Sequence, residues 1–378
     1  MLFEFSDEHG ELRRTVRNFL EKDSDESRVR ELMESEQGYD PTVWGRMAEE
    51  LGIVGLIASE QHGGAGFGMI ELAIVAEEMG RVLLCAPYLS SAVLATSALE
   101  LAADEAAQKE ILPALAMGKA IGTLAFSEPA SPWDLSAIEM TAQPDGDGFQ
   151  LSGEKSYVLD GHIANEILVV ARADGALALF RVAGDARGLT REVLPPLDPT
   201  RRIASLRFDS TPATRISSGD ASVALERALD RAIIALAAEQ LGGAQRVLET
   251  ATDYAKTRFQ FGRPIGSFQV IKHQCADMLV EVEFARSAVY NAAFESEEDS
   301  EDAFAAVRMA KSYCSDAYLH AANRNIQIHG GMGFTWEHSA HLYYKRAKAS
   351  ELLFGSPGFH RERLANSLGF GVAQLSSR

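Results

Sequence analysis

Two short segments in the C-terminal half of the chain contain residue types that suit a pyrophosphate. The first, AKTRFQFGRPIGSFQVIKHQCADM (255–278), contains Arg258, whose guanidinium can neutralise phosphate charge. The second, NIQIHGGMGFTWEH (325–338), contains Gly330 and Gly331, which lack a Cβ and let the backbone approach an anion closely. Taken singly, Arg258 is equally well a surface charge and the glycines a helix-ending turn. Together the two segments supply the positive charge and the accessible backbone that a pyrophosphate group needs.

Several other motifs of nucleotide binding and catalysis are missing. No G-x-G-x-x-G follows a strand and opens a helix, and HGGAGFG (62–68) lies between helices, so a Rossmann domain is excluded. No G-x-S-x-G elbow is present, which argues against the common type of thioester hydrolase. The pairs His338–His341 and His329–His360 lack the H-E-x-x-H pattern, so no metal site is expected.

The sequence pattern changes twice along the chain, from helical to strand-like and back to helical. Apolar residues recur at helical spacing through 1–120, and short alternating runs broken by Gly, Asp and Pro fill 121–218. Long alanine-rich helical stretches occupy 219–378. We therefore predict an α+β protein with an N-terminal helical domain, a central β-domain and a C-terminal helical bundle, bounded at these positions. The two helical parts are expected to pack together.

Length, charge and cysteine content narrow the class of protein. A chain of 378 residues exceeds the size of one ordinary core, so two or three packed units are expected. Thirty-six basic against 54 acidic residues give a net charge of −18, which disfavours nucleic acid or an anionic membrane as partner. The three cysteines are widely spaced, which indicates a reducing compartment. The N-terminus is acidic and amphipathic and lacks signal-peptide features, so we expect a cytoplasmic protein with no membrane span.

The two segments resemble those of the acyl-CoA dehydrogenase family: its Arg-x-x-Phe-Gly stretch with the helix that follows, and its Gln-x-x-Gly-Gly-x-Gly-Phe stretch. The α/β/α order matches that family along essentially the whole chain. The resemblance implies a small central β-barrel, a C-terminal four-helix bundle, an acyl-CoA substrate, and an electron-transfer protein as a candidate acceptor. It also implies a dimer of dimers. FAD would then be held across a subunit interface, with its ADP half contacted by Arg258, Gln260, Phe261, Gln327, Gly330 and Gly331.

The first flavin-facing stretch of the β-domain is LAFSEPASPWDL (124–135), which resembles the family's Ser/Thr-Glu-Pro strand and loop. It supplies Phe126 and Ser127 as candidate contacts to the flavin ring. The family's Gly-Ser step in the loop is replaced here by Pro132-Trp133, so the match is partial.

The second flavin-facing stretch is GEKSYVLDGHIANEILVVAR (153–172), in which Tyr157 is expected to stack near the ring. Leu159 stands where the family usually has a hydroxyl that bonds the isoalloxazine edge, and leucine has no group that can do so. The alternative is a β-domain that keeps its packing and has lost part of its flavin contacts.

The usual catalytic base is missing. The family removes the α-proton of an acyl thioester with a carboxylate while the flavin accepts a hydride from the β-carbon. Counting on from Gln327, the position of that glutamate is Phe354, and a phenyl ring cannot accept a proton. Some members place the glutamate on the first helix of the C-terminal domain. Counting back from Arg258, that position is Ala232, which is equally inert.

Three other carboxylates lie near these positions. Glu239 is seven residues beyond Ala232 on the same helix face, roughly 10 Å along the axis. Its apolar neighbours would raise its pKa, so it is our candidate base, although a buried charge that pairs two helices is the simpler interpretation. Glu351 is expected to be a solvated helix residue, and Asp230 to favour the positive end of its helix.

The resemblance and the missing base leave two alternative functions. One is an FAD-dependent acyl-CoA dehydrogenase that performs α,β-dehydrogenation of an acyl-CoA thioester with an unusual base. The other is a non-catalytic subunit of a heteromeric acyl-CoA dehydrogenase, which supplies FAD contacts to a partner that carries the glutamate. The second accounts for Phe354, Ala232 and Leu159 together. A scaffold without flavin ranks last, because it makes the Arg258 and Gly331 segments a coincidence.

Overall fold

The structure, a computed structural model, describes residues 5–370 of the chain. These residues form two compact units. The first contains residues 5–30, 69–84 and 233–370, and the second contains residues 31–68 and 85–232.

Eleven α-helices occur in the described range, and several begin at residues suited to capping. Ser6 caps α1 with a reciprocal bond to His9, and Asp40 and Asp104 accept backbone N–H groups at the starts of α3 and α6. The helices are α1 (Asp7–Asp23), α2 (Glu26–Glu34), α3 (Pro41–Glu49), α4 (Met69–Arg81), α5 (Thr96–Ala102), α6 (Glu105–Ala116), α7 (Ser222–Thr257), α8 (Gln269–Glu297), α9 (Ala303–His329), α10 (Ala340–Leu352) and α11 (Pro357–Ser367).

The first unit is a helical assembly in which α9 packs against α8, α10 and α11, and α4 packs against α1 and α8. Helices α4 and α7 approach so closely that only glycine fits at the contact. A Cβ on Gly242 would overlap the carbonyl oxygen of Glu77, and a Cβ on Gly80 would overlap that of Glu239. Helices from both ends of the chain therefore share one core.

We expect Gly242→Ala to destabilise the protein by about 1–3 kcal/mol, because the added methyl group meets backbone that cannot move aside cheaply. The matched control is Gly45→Ala in α3, where a Cβ would meet no described atom within 4 Å. There alanine should stabilise by about 0.5–1 kcal/mol through helix propensity. Denaturant midpoints of the two variants, measured at one protein concentration, should move in opposite directions. A Gly242→Ala midpoint equal to the wild-type value would contradict the close contact.

The second unit is built around one seven-stranded sheet with the order β1-β4-β5-β7-β3-β2, in which β6 also pairs with β7. Strand β1 runs parallel to β4, and the other neighbours are antiparallel. The strands are β1 (Gly122–Ala125), β2 (Ala142–Asp145), β3 (Gly148–Leu159), β4 (Glu166–Ala173), β5 (Ala176–Ala183), β6 (Leu189–Val193) and β7 (Ile203–Arg215). A π-helix, Tyr88–Ala95, packs against β1, where Ser91 Oγ accepts from Gly122 N (3.0 Å).

The predicted α+β class and the order of helices, strands and helices are confirmed. Strand β1 begins at Gly122 and α7 at Ser222, and the division into domains at 120/121 and 218/219 stays a prediction. Within residues 5–370, none of the helices is long and apolar enough to span a membrane.

Candidate functional site

The first candidate segment forms a tight hairpin directly after α7. Arg258 N still donates a helical hydrogen bond to Tyr254 O (2.8 Å), and the two-residue strands β8 (Phe259–Gln260) and β9 (Arg263–Pro264) follow. Phe261 and Gly262 connect them at φ 54° and 77°, as a type I′ turn requires. Phe261 is 91% exposed. The hairpin therefore presents an aromatic ring beside the exposed Arg258 and Gln260.

The second candidate segment turns sharply where α9 ends. Gly330 has φ 61°, and its N–H donates to Gln327 O, which ends the helix. A Cβ on Gly330 or Gly331 would meet no described atom within 4 Å, so the backbone of this turn faces open space. The exposed Gly331 is thus accessible to a ligand that approaches the chain closely.

The structure brings these two segments side by side. The ring of His329, which directly precedes Gly330, stacks on the ring of Tyr254 with centroids 4.2 Å apart. Tyr254 lies one helical turn before Arg258. His329 Nδ1 donates to Asn325 O (2.9 Å), and burial lowers the pKa of His329, so its ring is neutral at pH 7. A neutral ring can stack without adding charge to the site.

A separate cluster lies in the second unit, at the end of β1. Ser127 is 2% exposed, and its hydroxyl oxygen has no hydrogen-bond partner among the described residues. A buried hydroxyl left without a partner costs about 1–3 kcal/mol, so this group calls for a polar atom from a ligand or an ordered water. The ring centroid of Trp133 lies 6.1 Å from that of Phe126, the residue before Ser127, and 5.9 Å from that of Tyr157. A buried hydroxyl without a partner therefore lies next in sequence to an aromatic cluster whose exposed member is Tyr157, a combination suited to a flat ring system with polar edges.

Tyr157 owes its exposure to an irregularity in β3. The pairing of β3 with β7 shifts register between Lys155 and Val158, and Tyr157 has φ 56°. Such bulges redirect side chains next to functional sites. Tyr157 is 42% exposed, whereas Leu159 is 3% exposed and its carbonyl accepts from Thr123 Oγ1 (2.6 Å). Leu159 thus serves the packing of the sheet.

Phe354 lies in a rigid, buried turn between α10 and α11. It has φ 58°, a region that bulky side chains avoid, and it is 5% exposed. His360 Nε2 donates to Phe354 O (2.9 Å), and Lys311 Nζ donates to Ser350 O and Glu351 O at the end of α10. Burial, together with the charge of Lys311, lowers the pKa of His360 to about 3, so the ring is neutral and remains in place.

The nearby carboxylates are engaged. Glu239 Oε1 accepts from Arg346 Nη1 at 2.7 Å, and Arg346 is 2% exposed. Glu351 pairs with Lys348 (2.6 Å), and Ala232 is fully buried. The ion pair of Glu239 is the helix-pairing arrangement considered from the sequence, and its role as a base stays a prediction. No group of three or more potential metal ligands occurs within the described residues.

The comparisons with known proteins agree with this arrangement. The acyl-CoA dehydrogenase N-terminal domain matches residues 6–119, and the acyl-CoA dehydrogenase C-terminal domain matches residues 221–369. Acyl-CoA dehydrogenase IpdE2 of Mycobacterium tuberculosis is 37% identical over 346 residues, which cover 92% of each chain.

Two solved structures are similar over nearly their whole length. One is described as the Tcur3481-Tcur3483 steroid ACAD, with 32% identity, TM-score 0.88, and coverage of 97% of this chain and 99% of that one. The other is the ChsE4-ChsE5 complex from Mycobacterium tuberculosis, with 28% identity, TM-score 0.89, and coverage of 98% and 99%. By sequence, by fold and by the segments that the structure brings together, this chain belongs to the acyl-CoA dehydrogenase family.

Proposed function

We propose that this chain is the non-catalytic subunit of a two-chain, FAD-dependent acyl-CoA dehydrogenase whose partner carries the proton-abstracting glutamate. The observation that carries the proposal is the turn at Phe354. It keeps a rigid, positive-φ backbone but holds a phenyl ring where the family has its carboxylate. Ala232 is buried and inert, and Glu239 is neutralised by Arg346. The two-chain structures to which this chain is similar support the same assembly.

The residues present fit FAD. In the first unit, Arg258 offers charge to the pyrophosphate, and Gln260 and Phe261 lie beside it on the exposed hairpin. Gln327 is exposed at the end of α9, and Gly330 and Gly331 leave the backbone that follows open to the same ligand. In the second unit, Ser127 has a hydroxyl to donate to a ring edge, and Phe126 and Tyr157 belong to the aromatic cluster beside it. When bound, FAD supplies the hydride acceptor for the acyl β-carbon.

An exposed apolar face on α8 and α9 supports association with a second chain of the same family, in a dimer of dimers. Three large side chains on it are 38–62% exposed and line one depression, namely Phe284, Met309 and Tyr313, and the ring centroids of Phe284 and Tyr313 lie 6.3 Å apart. Clustered apolar groups of this size mark interaction sites. Contact with a homologous chain would bury them, and the trans-acting hairpin at Phe261 would reach that chain.

The substrate and compartment follow by similarity and composition. One solved relative is described as a steroid ACAD, so we propose a bulky, ring-containing acyl-CoA as the first substrate to test. An electron-transfer flavoprotein is the proposed acceptor. Cys85, Cys275 and Cys314 are free thiols, which supports a reducing compartment, the cytoplasm.

The experiment that tests the proposal compares the chain alone with the chain co-expressed with family members of its own organism that have glutamate at this position. Alone, it should hold little FAD, or hold FAD that acyl-CoA never bleaches under anaerobic conditions. With its partner it should co-purify at equal stoichiometry and contain FAD that substrate bleaches. A chain that binds one FAD by itself and is bleached by an acyl-CoA would overturn the proposal.

A second candidate, an enzyme that acts alone with Glu239 as its base, is favoured by the location of Glu239 on α7 with its side chain 14% exposed. Glu239→Gln separates the two. If Glu239 takes the proton, the rate of flavin reduction falls by about 10²–10⁴. We expect a change of less than about threefold, because Gln keeps a contact to Arg346 while the partner's glutamate does the chemistry. Stopped-flow reduction at saturating acyl-CoA measures the difference.

A further inference from the structure

Lys155 is a lysine with no access to solvent in the middle of the second unit. It lies on β3, is 0% exposed, and its Nζ donates to Glu128 Oε1 at 2.7 Å and to Phe126 O at 3.3 Å. Burial of a lysine ammonium is costly and is tolerated only with good partners. Both partners belong to the loop that leaves β1, which is the loop that contains Ser127.

Glu128 links three parts of this unit. Its Oε1 accepts from Lys155 Nζ and from Met140 N (3.0 Å), and its Oε2 accepts from Glu139 N (2.9 Å). The carboxylate thereby fixes both ends of the intervening loop, which contains Trp133. Burial raises the pKa of Glu128, but the hydrogen bonds from Lys155 and the two amides outweigh it and lower the pKa, so the group is ionised.

The neighbours of Lys155 along β3 are the residues that face the proposed flavin. Ser156 N donates to Ser127 O at 2.9 Å, and Tyr157 follows at the bulge. Three consecutive residues, Phe126, Ser127 and Glu128, are thus each hydrogen-bonded to β3. We propose that the Lys155–Glu128 ion pair is a positioning device that holds the Ser127 hydroxyl and the Tyr157 ring in register for the flavin ring. This inference rests on the proposed function, namely that this chain contacts a flavin.

The ion pair also gives the device a pH dependence. Burial, opposed by Glu128, lowers the pKa of Lys155 from 10.5 to about 8. Below that pH the ammonium is charged and bound to ionised Glu128. Above it the folded protein holds a neutral amine, the ion pair is lost, and the loop is held by weaker bonds. Flavin affinity should therefore fall as the pH rises through about 8.

The test is Lys155→Met compared with Arg181→Met, in whichever form of the wild type binds FAD, alone or with its partner. Arg181 forms a two-bond ion pair with Glu166 (2.8 and 2.9 Å) in the same sheet and a second pair with the exposed Glu110 (2.6 Å). Glu166 lies at the start of β4, opposite Gly122 at the start of β1 and away from Ser127. Lys155→Met should weaken FAD binding by about tenfold or more, the loss expected when a hydrogen bond is misaligned. Arg181→Met should lower the melting temperature and leave FAD affinity unchanged.

Equilibrium quenching of flavin fluorescence, well below the melting temperatures, gives the affinity from pH 6 to 10. The wild-type affinity should decline above about pH 8 and that of Lys155→Met should not. Equal FAD affinity in wild type and Lys155→Met, or equal losses in both variants, would overturn the inference. If Lys155→Met does not fold, Glu128→Gln must show the same loss relative to Arg181→Met. A wild type that binds no FAD in either form rejects the proposed function instead.

Discussion

Replacing Phe354 with glutamate is expected to raise the rate at which an acyl-CoA reduces the bound flavin by about 10²–10⁴, the usual contribution of a general base. The backbone at this position already has the required rigidity. Phe354 O is held by His360, Gly355 N donates to Leu352 O, and α11 begins at once with Ser356 as its cap. A glutamate would therefore replace only the side chain.

The gain should be measured where no other base acts, in the complex whose partner has had its own glutamate replaced by glutamine. The matched control is Phe354→Gln, which has nearly the same shape as the glutamate but is neutral and cannot accept the proton. Anaerobic stopped-flow bleaching should be fast for Phe354→Glu and slow for Phe354→Gln. Equal rates would mean that the turn does not deliver its side chain to the substrate, and that the phenyl ring is not what prevents the reaction.

The order of helices and strands could be predicted from the sequence, because apolar residues recur every three to four residues in a helix and every second residue in a strand. Alternating residues in EILVVARADGALALFRV gave strands β4 and β5, and alanine-rich helical spacing gave α7, α8 and α9. The contacts between distant helices could not be predicted this way. Nothing local marks Gly242 as the residue that must be glycine because Glu77, 165 positions earlier, lies against it.

The candidate site was predicted in part for a similar reason. Arg258 and Gly330 could be singled out because charge and a missing Cβ are properties of the residues themselves. The stacking of Tyr254 on His329 depends on how α7 meets α9, and no periodicity contains that information. The exposure of Tyr157 depends on a register shift in β3, which pairing with β7 sets.

The buried charged residues show most clearly what could not be predicted from the sequence. Strand alternation alone does not show that Lys155 is fully buried, because its partner Glu128 lies 27 residues earlier. Glu239 looked like a half-buried carboxylate with a raised pKa because its neighbours are apolar, and Arg346 is 107 residues away. A signal was present in both cases: an ionisable residue inside an apolar run needs a partner, although the sequence does not say which one.

Glu77→Gln is expected to lower the free energy of unfolding of the helical unit by about 1–3 kcal/mol, because the half-buried Arg13 and Arg286 lose the carboxylate that they share. These two cations keep Glu78 and Glu283 as their counter-charges. Glu77 is 2% exposed on α4. It pairs with Arg13 of α1 (2.8 Å) and with Arg286 of α8, and it accepts from Tyr290 OH (2.6 Å). The matched control is Glu50→Gln, which removes the exposed pair with Arg46 at the end of α3 and should cost no more than about 0.5 kcal/mol. Urea denaturation followed by far-UV circular dichroism at pH 7 should separate the two variants.

The pH dependence of this difference tests its cause. Burial raises the pKa of Glu77, but Arg13 and Arg286 outweigh burial and hold it below its ordinary value of 4.5. A carboxyl group with a lowered folded pKa binds fewer protons in the folded than in the unfolded protein. Its stabilisation is therefore complete above 4.5 and is lost as the pH falls through the folded pKa. The gap between wild type and Glu77→Gln should stay constant from neutral pH down to about 5 and narrow below 4.5. A gap that persists unchanged in acid would mean that the variant loses packing or hydrogen bonds, and that the charge of Glu77 is not what joins α1, α4 and α8.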